Sequence, residues 1–193
     1  MSPTLKSVLQ GKDWQDKYIA NFEELEKIVK QLKEGGFSIA LTQGVFDMFH
    51  VGHGRYLAEA GTYGDVLIVG VDSDELTRAM KGPKRPFDVF EERIEIISML
   101  SSVSIVVKRD TDQHKYDLIK LVQPNVLIMS KTTSSFTEED KKELSQYCGD
   151  IKHLEAKAAT TTTAKTLRLM TEGAEELAVK IQQTVSDFLG GKK

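Results

Sequence analysis

Asp47, His50 and His53 fall at intervals of three residues in the segment Thr42-Gln-Gly-Val-Phe-Asp-Met-Phe-His-Val-Gly-His-Gly-Arg-Tyr-Leu57, which holds two of the chain's four histidines. An imidazole can donate a hydrogen bond to charge developing on a phosphoryl oxygen. Gly44 lets the backbone come close to a ligand, and Gly52 opens a helix whose first N–H groups lack intrahelical partners, an arrangement suited to phosphate. Two other readings are open at this spacing. A carboxylate with two imidazoles also makes a metal site, and paired histidines also serve as caps or hydrogen-bonded core residues. Farther along, Lys81, Arg85 and Arg93 surround a Gly82-Pro83 loop, as phosphate contacts or as solvated charge. Four threonines, Thr160 to Thr163, precede a helical pattern, where hydroxyls and amides either hold phosphate or form a plain N-cap.

These groups act together only if a framework brings them to one place. Five short, mostly β-branched or aliphatic runs read as buried strands of a parallel sheet: Phe37 to Thr42, Val66 to Val71, Val103 to Val107, Val126 to Met129 and Ile151 to Leu154. Helical patterns alternate with them. Asn21 opens a one-sided helix through Phe22, Leu25, Ile28, Val29 and Leu32 that stops at Gly35-Gly36. Others cover 52–60, 72–80, 88–100 and 113–122, and Thr137-Glu-Glu-Asp offers a capping box for one that runs to Cys148-Gly149. Alternation with right-handed crossovers predicts a doubly wound five-stranded parallel α/β sheet, with its ligand crevice at the carboxyl ends of the strands.

The length of 193 residues predicts a single domain over 1–193, with a core at about 21–170, an N-terminal extension 1–20 and a C-terminal helix 171–189. Asp and Glu number 29 against 26 Lys and Arg, a net charge of −3 that argues against nucleic acid as a partner. Charged residues at 28%, hydrophobic residues at 40% and only four prolines exclude collagen-like and disordered classes. The single Cys148 forms no intrachain disulfide or thiolate zinc cluster and points to a reducing compartment. The N-terminus lacks a basic stretch followed by an apolar one, and the apolar runs are too short to span a bilayer. We therefore expect no membrane partner and a cytoplasmic location.

Gly44, Phe46, Asp47, His50, Gly52 and His53 spell Gly-x-Phe-Asp-x-x-His-x-Gly-His, which resembles the signature of the cytidylyltransferase-like nucleotidyltransferase superfamily. Tyr56-Leu57, the stretch Gly64 to Asp74, Lys81-Gly82, Arg85-Pro86 and Glu92-Arg93 are similar to its heptose-phosphate adenylyltransferase branch. The glycerol-3-phosphate cytidylyltransferase branch is similar over the same span but lacks the Lys-Gly-x-x-Arg-Pro run. The resemblance implies a Rossmann-like nucleotidyltransferase fold. It also implies transfer of a nucleoside monophosphate from ATP, or less favourably CTP, to a phosphorylated small molecule such as a sugar phosphate, with pyrophosphate released. By the same resemblance, His50 and His53 stabilise the α-phosphate, Lys81, Arg93 and Thr161, Thr162 and Thr163 hold the triphosphate, and Gly44, Val45, Phe46, Asp47 and Gly52 line the nucleotide. Mg²⁺ is expected with the nucleotide, Asp47 helping to place it or orienting a histidine. Asp65 is expected to be a structural cap, and the protein a homodimer.

One stretch departs from the pattern. Both branches carry a Gly-Gly-Asp or Gly-Asp-Asp turn after the fourth strand of the five, whereas this chain reads Met129-Ser-Lys-Thr-Thr-Ser-Ser-Phe136. Ser130 and Lys131, with Arg85, are then the expected acceptor contacts, and such donors suit an acceptor that carries a second negative charge besides its phosphate. The arginine that precedes the threonines in the cytidylyl branch is also missing, and Lys157 is the nearest cation. The rival readings are a CTP-dependent enzyme for a phospho-alcohol, a non-catalytic nucleotide-binding regulatory module, and a metal-dependent hydrolase using Asp47, His50 and His53.

Overall fold

A computed structural model describes residues 13–130, 137–155 and 162–190, together with Leu5. Two compact units emerge, residues 1–157 and residues 158–193. In the first, helix α1 (Phe22–Glu34) starts where the Asn21 side chain accepts the Glu24 N–H at 2.9 Å, and Glu23 and Glu24 complement its N-terminal dipole. Its Leu25, Ile28, Val29 and Leu32 are buried, as their spacing predicts.

The described strands form one parallel sheet in the order β1-β4-β3-β2-β5-β6. They are β1 (Tyr18–Ile19), β2 (Ile39–Gly44), β3 (Val66–Asp72), β4 (Ile105–Arg109), β5 (Val126–Ser130) and β6 (Asp150–Leu154). All seven residues of β3 are buried, which is why this strand reads as a continuous apolar run rather than an alternating one. The connections are α2 (Val51–Ala60), α3 (Asp74–Lys81), α4 (Phe90–Ser98), α5 (Asp117–Val122) and α6 (Glu138–Leu144). One face of the sheet packs Ile39, Leu41, Val66, Ile68, Ile105 and Val107 with residues of α1, α5 and α6. The other packs Ala40, Leu67, Val69, Val71 and Val106 with Leu57 and Ala60 of α2 and Ile94 and Ile97 of α4. Helices on both faces make the sheet doubly wound, as expected.

The sixth strand is an addition to the five expected. β1 pairs with β4 at Tyr18↔Val106 and Ile19↔Val107, and two residues are too few to show a period. Strand limits also shift by two residues. Gln43 and Gly44 pair with Gly70 and Val71, and Lys108 and Arg109 with Val71 and Asp72, so the ladder outruns the apolar stretch that marks burial. In the second unit the helix α7 (Thr162–Gly190) starts nine residues before the expected 171.

The amino edge of the sheet is pinned by side chains. Asp65 Oδ2 accepts from the Ser38 N–H at 2.8 Å and the Ser38 hydroxyl at 2.6 Å, a structural use of the kind expected for it. Asn125 Oδ1 accepts from the Ile39 N–H at 2.7 Å and thereby ties β2 to the start of β5. Replacing Asn125 with Ala leaves a part-buried amide unpaired, and the expected loss is about 1–3 kcal/mol, read by urea denaturation with an unchanged m value.

Candidate active site

The order of the sheet reverses at β2, which lies between β3 and β5; the crevice outside their carboxyl ends is the position for a ligand in such a sheet. Tyr56 of α2 spans this point. Its hydroxyl lies 2.8 Å from the Thr42 hydroxyl on β2 and donates to the Ile128 carbonyl on β5 at 3.3 Å. Burial pushes the Tyr56 phenol up to about 12, against the Thr42 hydrogen bond, so it stays protonated and acts as a brace.

From β2 the chain turns sharply into α2. Phe46 (φ 55°) and Met48 (φ 48°) both adopt left-handed backbone, a costly conformation for non-glycine residues and one that clusters at functional sites. His50 is the N-cap of α2, and its Nδ1 accepts the Gly52 N–H at 3.0 Å. Accepting there leaves the proton of the neutral ring on Nε2, so the far side of the imidazole is a donor. The same bond occupies the Gly52 amide, which the sequence pattern offers as an open phosphate ligand. His53 stacks on His50 with ring centroids 4.1 Å apart and planes 15° apart, and it is wedged edge-on against Phe46 at 5.7 Å and beside Phe49 at 5.4 Å. The two histidines thus come together at one helix N-terminus.

Asp47 is held by the loop between α3 and α4. Its Oδ2 accepts from Arg85 Nη1 at 2.8 Å, and its Oδ1 accepts the N–H groups of Phe87 at 2.8 Å and Asp88 at 3.1 Å. Burial opposes the charge on Asp47, but the two amides and Arg85 more than offset it and hold the carboxyl below its usual range. Arg85 in turn lies over the Phe87 ring at 4.4 Å. Both Asp47 oxygens thus accept from the loop between α3 and α4. Among the described residues no group of three His, Cys, Asp or Glu side chains converges on one point.

Arg93 departs most from its expected role. It is 1% exposed, and all three guanidinium nitrogens are engaged: Nη1 donates to the Val45 carbonyl at 2.6 Å, Nε to the Asp88 carbonyl at 3.1 Å and Nη2 to Asp74 Oδ1 at 2.7 Å. This cation ties together the turns that follow β2 and β3 and the start of α4. Lys81, by contrast, ends α3 as an exposed side chain. Ser130 ends β5, paired in register with Leu154 of β6. Lys131 and Thr161 lie outside the described residues. Thr162 and Thr163 begin α7 in the second unit. Sequence reasoning missed Asp74, Tyr56 and Thr42 as working parts of this site; a lone polar residue in a helix or strand carries no periodic signal.

The family profile described as cytidylyltransferase-like matches residues 41–176, which take in the whole β2–α2 turn and the Arg93 anchor. The chain belongs to the cytidylyltransferase-like family. Among relatives, the bifunctional protein HldE of Sulfurimonas denitrificans is 44% identical over 117 residues, 61% of this chain and 24% of that protein. HldE of Aliarcobacter butzleri is 43% identical over 111 residues, 58% of this chain and 23% of the relative. This chain therefore spans about a quarter of the length of the relatives it matches. Among solved structures, a lipopolysaccharide core biosynthesis protein of Thermoplasma volcanium has a TM-score of 0.54 at 24% identity, covering 65% of this chain and all of that one. Pantoate-beta-alanine ligase of Francisella tularensis has a TM-score of 0.52 at 14% identity, covering 72% of this chain and 66% of that one. These structural likenesses are of fold, a Rossmann-like α/β architecture.

Two outcomes follow for the residues that build this cytidylyltransferase-like site. Arg93→Ala strands a carboxylate and two carbonyls, and a loss of about 3–5 kcal/mol is expected in chemical denaturation. Asp47 has a folded pKa below its unfolded one, so its contribution is complete above the unfolded value of about 3.9 and fades as pH falls through the folded value. The stability difference between wild type and Asp47→Asn should thus be flat above about pH 5 and shrink below about pH 4, measured by denaturation across pH.

Proposed function

We propose that this chain transfers an adenylyl group from ATP to the phosphate of a sugar phosphate and releases pyrophosphate. The observation that carries this reading is the stacked His50–His53 pair at the N-terminus of α2, with His50 Nδ1 accepting the Gly52 N–H, in a strained turn at the sheet's reversal point. An acceptor phosphate is already an anion at neutral pH, so its oxygen attacks the α-phosphorus without a general base while the bond to the bridging oxygen of pyrophosphate breaks. What the protein must supply is position and charge compensation on the transferring group. His50 and His53 fit that need as donors, and Lys81 fits as an exposed cation for the triphosphate. Thr161, Thr162 and Thr163 are proposed as further triphosphate contacts, and Ser130, Lys131 and Arg85 as acceptor contacts. Mg²⁺ is proposed to arrive on the nucleotide's phosphates, since Asp47 has both oxygens committed. Arg93 is assigned a positioning role, because it is buried and each of its three nitrogens already bonds to the protein.

ATP is preferred over CTP, and a sugar phosphate over a phospho-alcohol, because Lys81-Gly82 and Arg85-Pro86 resemble the heptose-phosphate adenylyltransferase branch. The test is a pyrophosphate-release screen that crosses ATP and CTP with sugar 1-phosphates and glycerol 3-phosphate. Release with ATP and a sugar phosphate supports the reading; release only with CTP and glycerol 3-phosphate, or none at all, sinks it. In the productive pair, His50→Ala and His53→Ala should each lower kcat by roughly 10² to 10³, with a smaller effect on nucleotide KM.

A further inference from the structure

Asp72 and Arg109, the last residues of β3 and β4, are register partners and form a buried ion pair, with Arg109 Nη1 at 2.6 Å from Asp72 Oδ1. Both lie at the carboxyl edge of the sheet, two strands or fewer from β2. By strand alternation they share a face with Gln43 and Gly70, opposite the face that packs α2. Gly70 makes the arrangement possible: a Cβ there would sit 2.9 Å from Arg109 Cδ and 2.4 Å from Leu118 Cδ2, so the arginine stem crosses β3 through space that only glycine leaves.

Such a pair is a poor source of stability, because removing both charges from water costs about what their attraction returns. Asp72 is 3% exposed and Arg109 6%. Burial pushes the Asp72 carboxyl up, and the opposing pull of Arg109, Lys81 and Arg93 does not fully cancel it. Besides its partner Arg109, Lys81 and Arg93 lie near enough to act on this carboxylate. The guanidinium is also only partly used. Among the described residues, Nη1 alone of its three nitrogens makes a hydrogen bond. Two adjacent donors on a planar fork match two oxygens of one anion.

In-line transfer brings the acceptor in opposite the departing pyrophosphate. The histidines lie on the α2 side of the carboxyl edge and Arg109 on the other, so an acceptor phosphate that approached from the Arg109 side would meet its guanidinium. We propose that Arg109, aimed by Asp72 across Gly70, anchors the phosphate of the acceptor and helps set acceptor specificity. The proposal rests on the transferase reading above, and its test is separable from that reading.

The full chain is saturated with α,β-methylene-ATP, and inorganic phosphate and glucose 1-phosphate are titrated by calorimetry into wild type, Arg109→Gln, Arg109→Lys and Asp72→Asn. Loss of a charged, forked contact is expected to weaken both probes about tenfold or more in Arg109→Gln, with a smaller loss in Arg109→Lys and Asp72→Asn. The Kd of the nucleotide analogue should stay within twofold, a split that a purely structural pair would not produce. If Arg109→Gln does not fold, Arg109→Lys and Asp72→Asn decide by the same readout. Probe affinities equal to wild type in the folded variants overturn the proposal, as does failure of the nucleotide-loaded wild type to bind either probe. Absence of pyrophosphate release with every acceptor, alongside Arg109-dependent phosphate binding, would sink the transferase reading and leave the anchor in place.

Discussion

The site depends first on one buried cation. Arg93 reaches the carbonyl of Val45 just after β2, the carbonyl of Asp88 ahead of α4 and the carboxylate of Asp74 at the start of α3. Strands of a parallel sheet end side by side, but the turns that leave them are free to splay, since each has its own crossover. A buried guanidinium with three directed bonds removes that freedom. The backbone on either side of the strained Phe46–Met48 turn then has few places to go, and the histidines that follow inherit its position. Asp47 extends the same scheme by holding the loop that carries Arg85 from the other end.

Chemistry without an enzyme nucleophile suits this construction. When the attacking oxygen arrives already charged, rate depends on geometry and on the field at the transferring phosphorus, both of which degrade with small displacements. Tyr56, protonated and bonded to both β2 and β5, keeps the two strands that flank the reversal point at a fixed separation beneath the site. The histidine pair stands on that brace through α2, with Phe46 and Phe49 limiting how His53 can turn.

Much of this was legible in the residues. Apolar runs announce buried parallel strands because both faces of such a sheet are covered, and Asn21 with Glu23 and Glu24 marks a helix start by a mechanism that is local. His50 and His53 are readable for the same reason: their spacing and the glycines around them concern one short turn. The rest is tertiary. Cations in a charged stretch look alike in sequence, and only the fold separates Arg93, sealed among two backbone carbonyls and a carboxylate, from the exposed Lys81. Asp47 sits in a motif that suggests ligands, yet its partners come from 38 to 41 residues away. The pairing of Asp72 with Arg109 across 37 residues, through the gap at Gly70, has no sequence period at all.

The family profile begins at residue 41, but the first compact unit does not. Leu25, Ile28, Val29 and Leu32 of α1 fill one face of the sheet, and Tyr18 and Ile19 occupy the outer edge of β4, all upstream of the matched segment. Cut at the family boundary, the chain would bare an apolar face and a row of unpaired strand amides, the combination that templates intermolecular sheets. The segment that the family profile matches and the segment that packs as one compact unit are therefore different lengths of chain. Anyone transplanting this domain into another protein must carry the segment from Tyr18 to Ala40 with it.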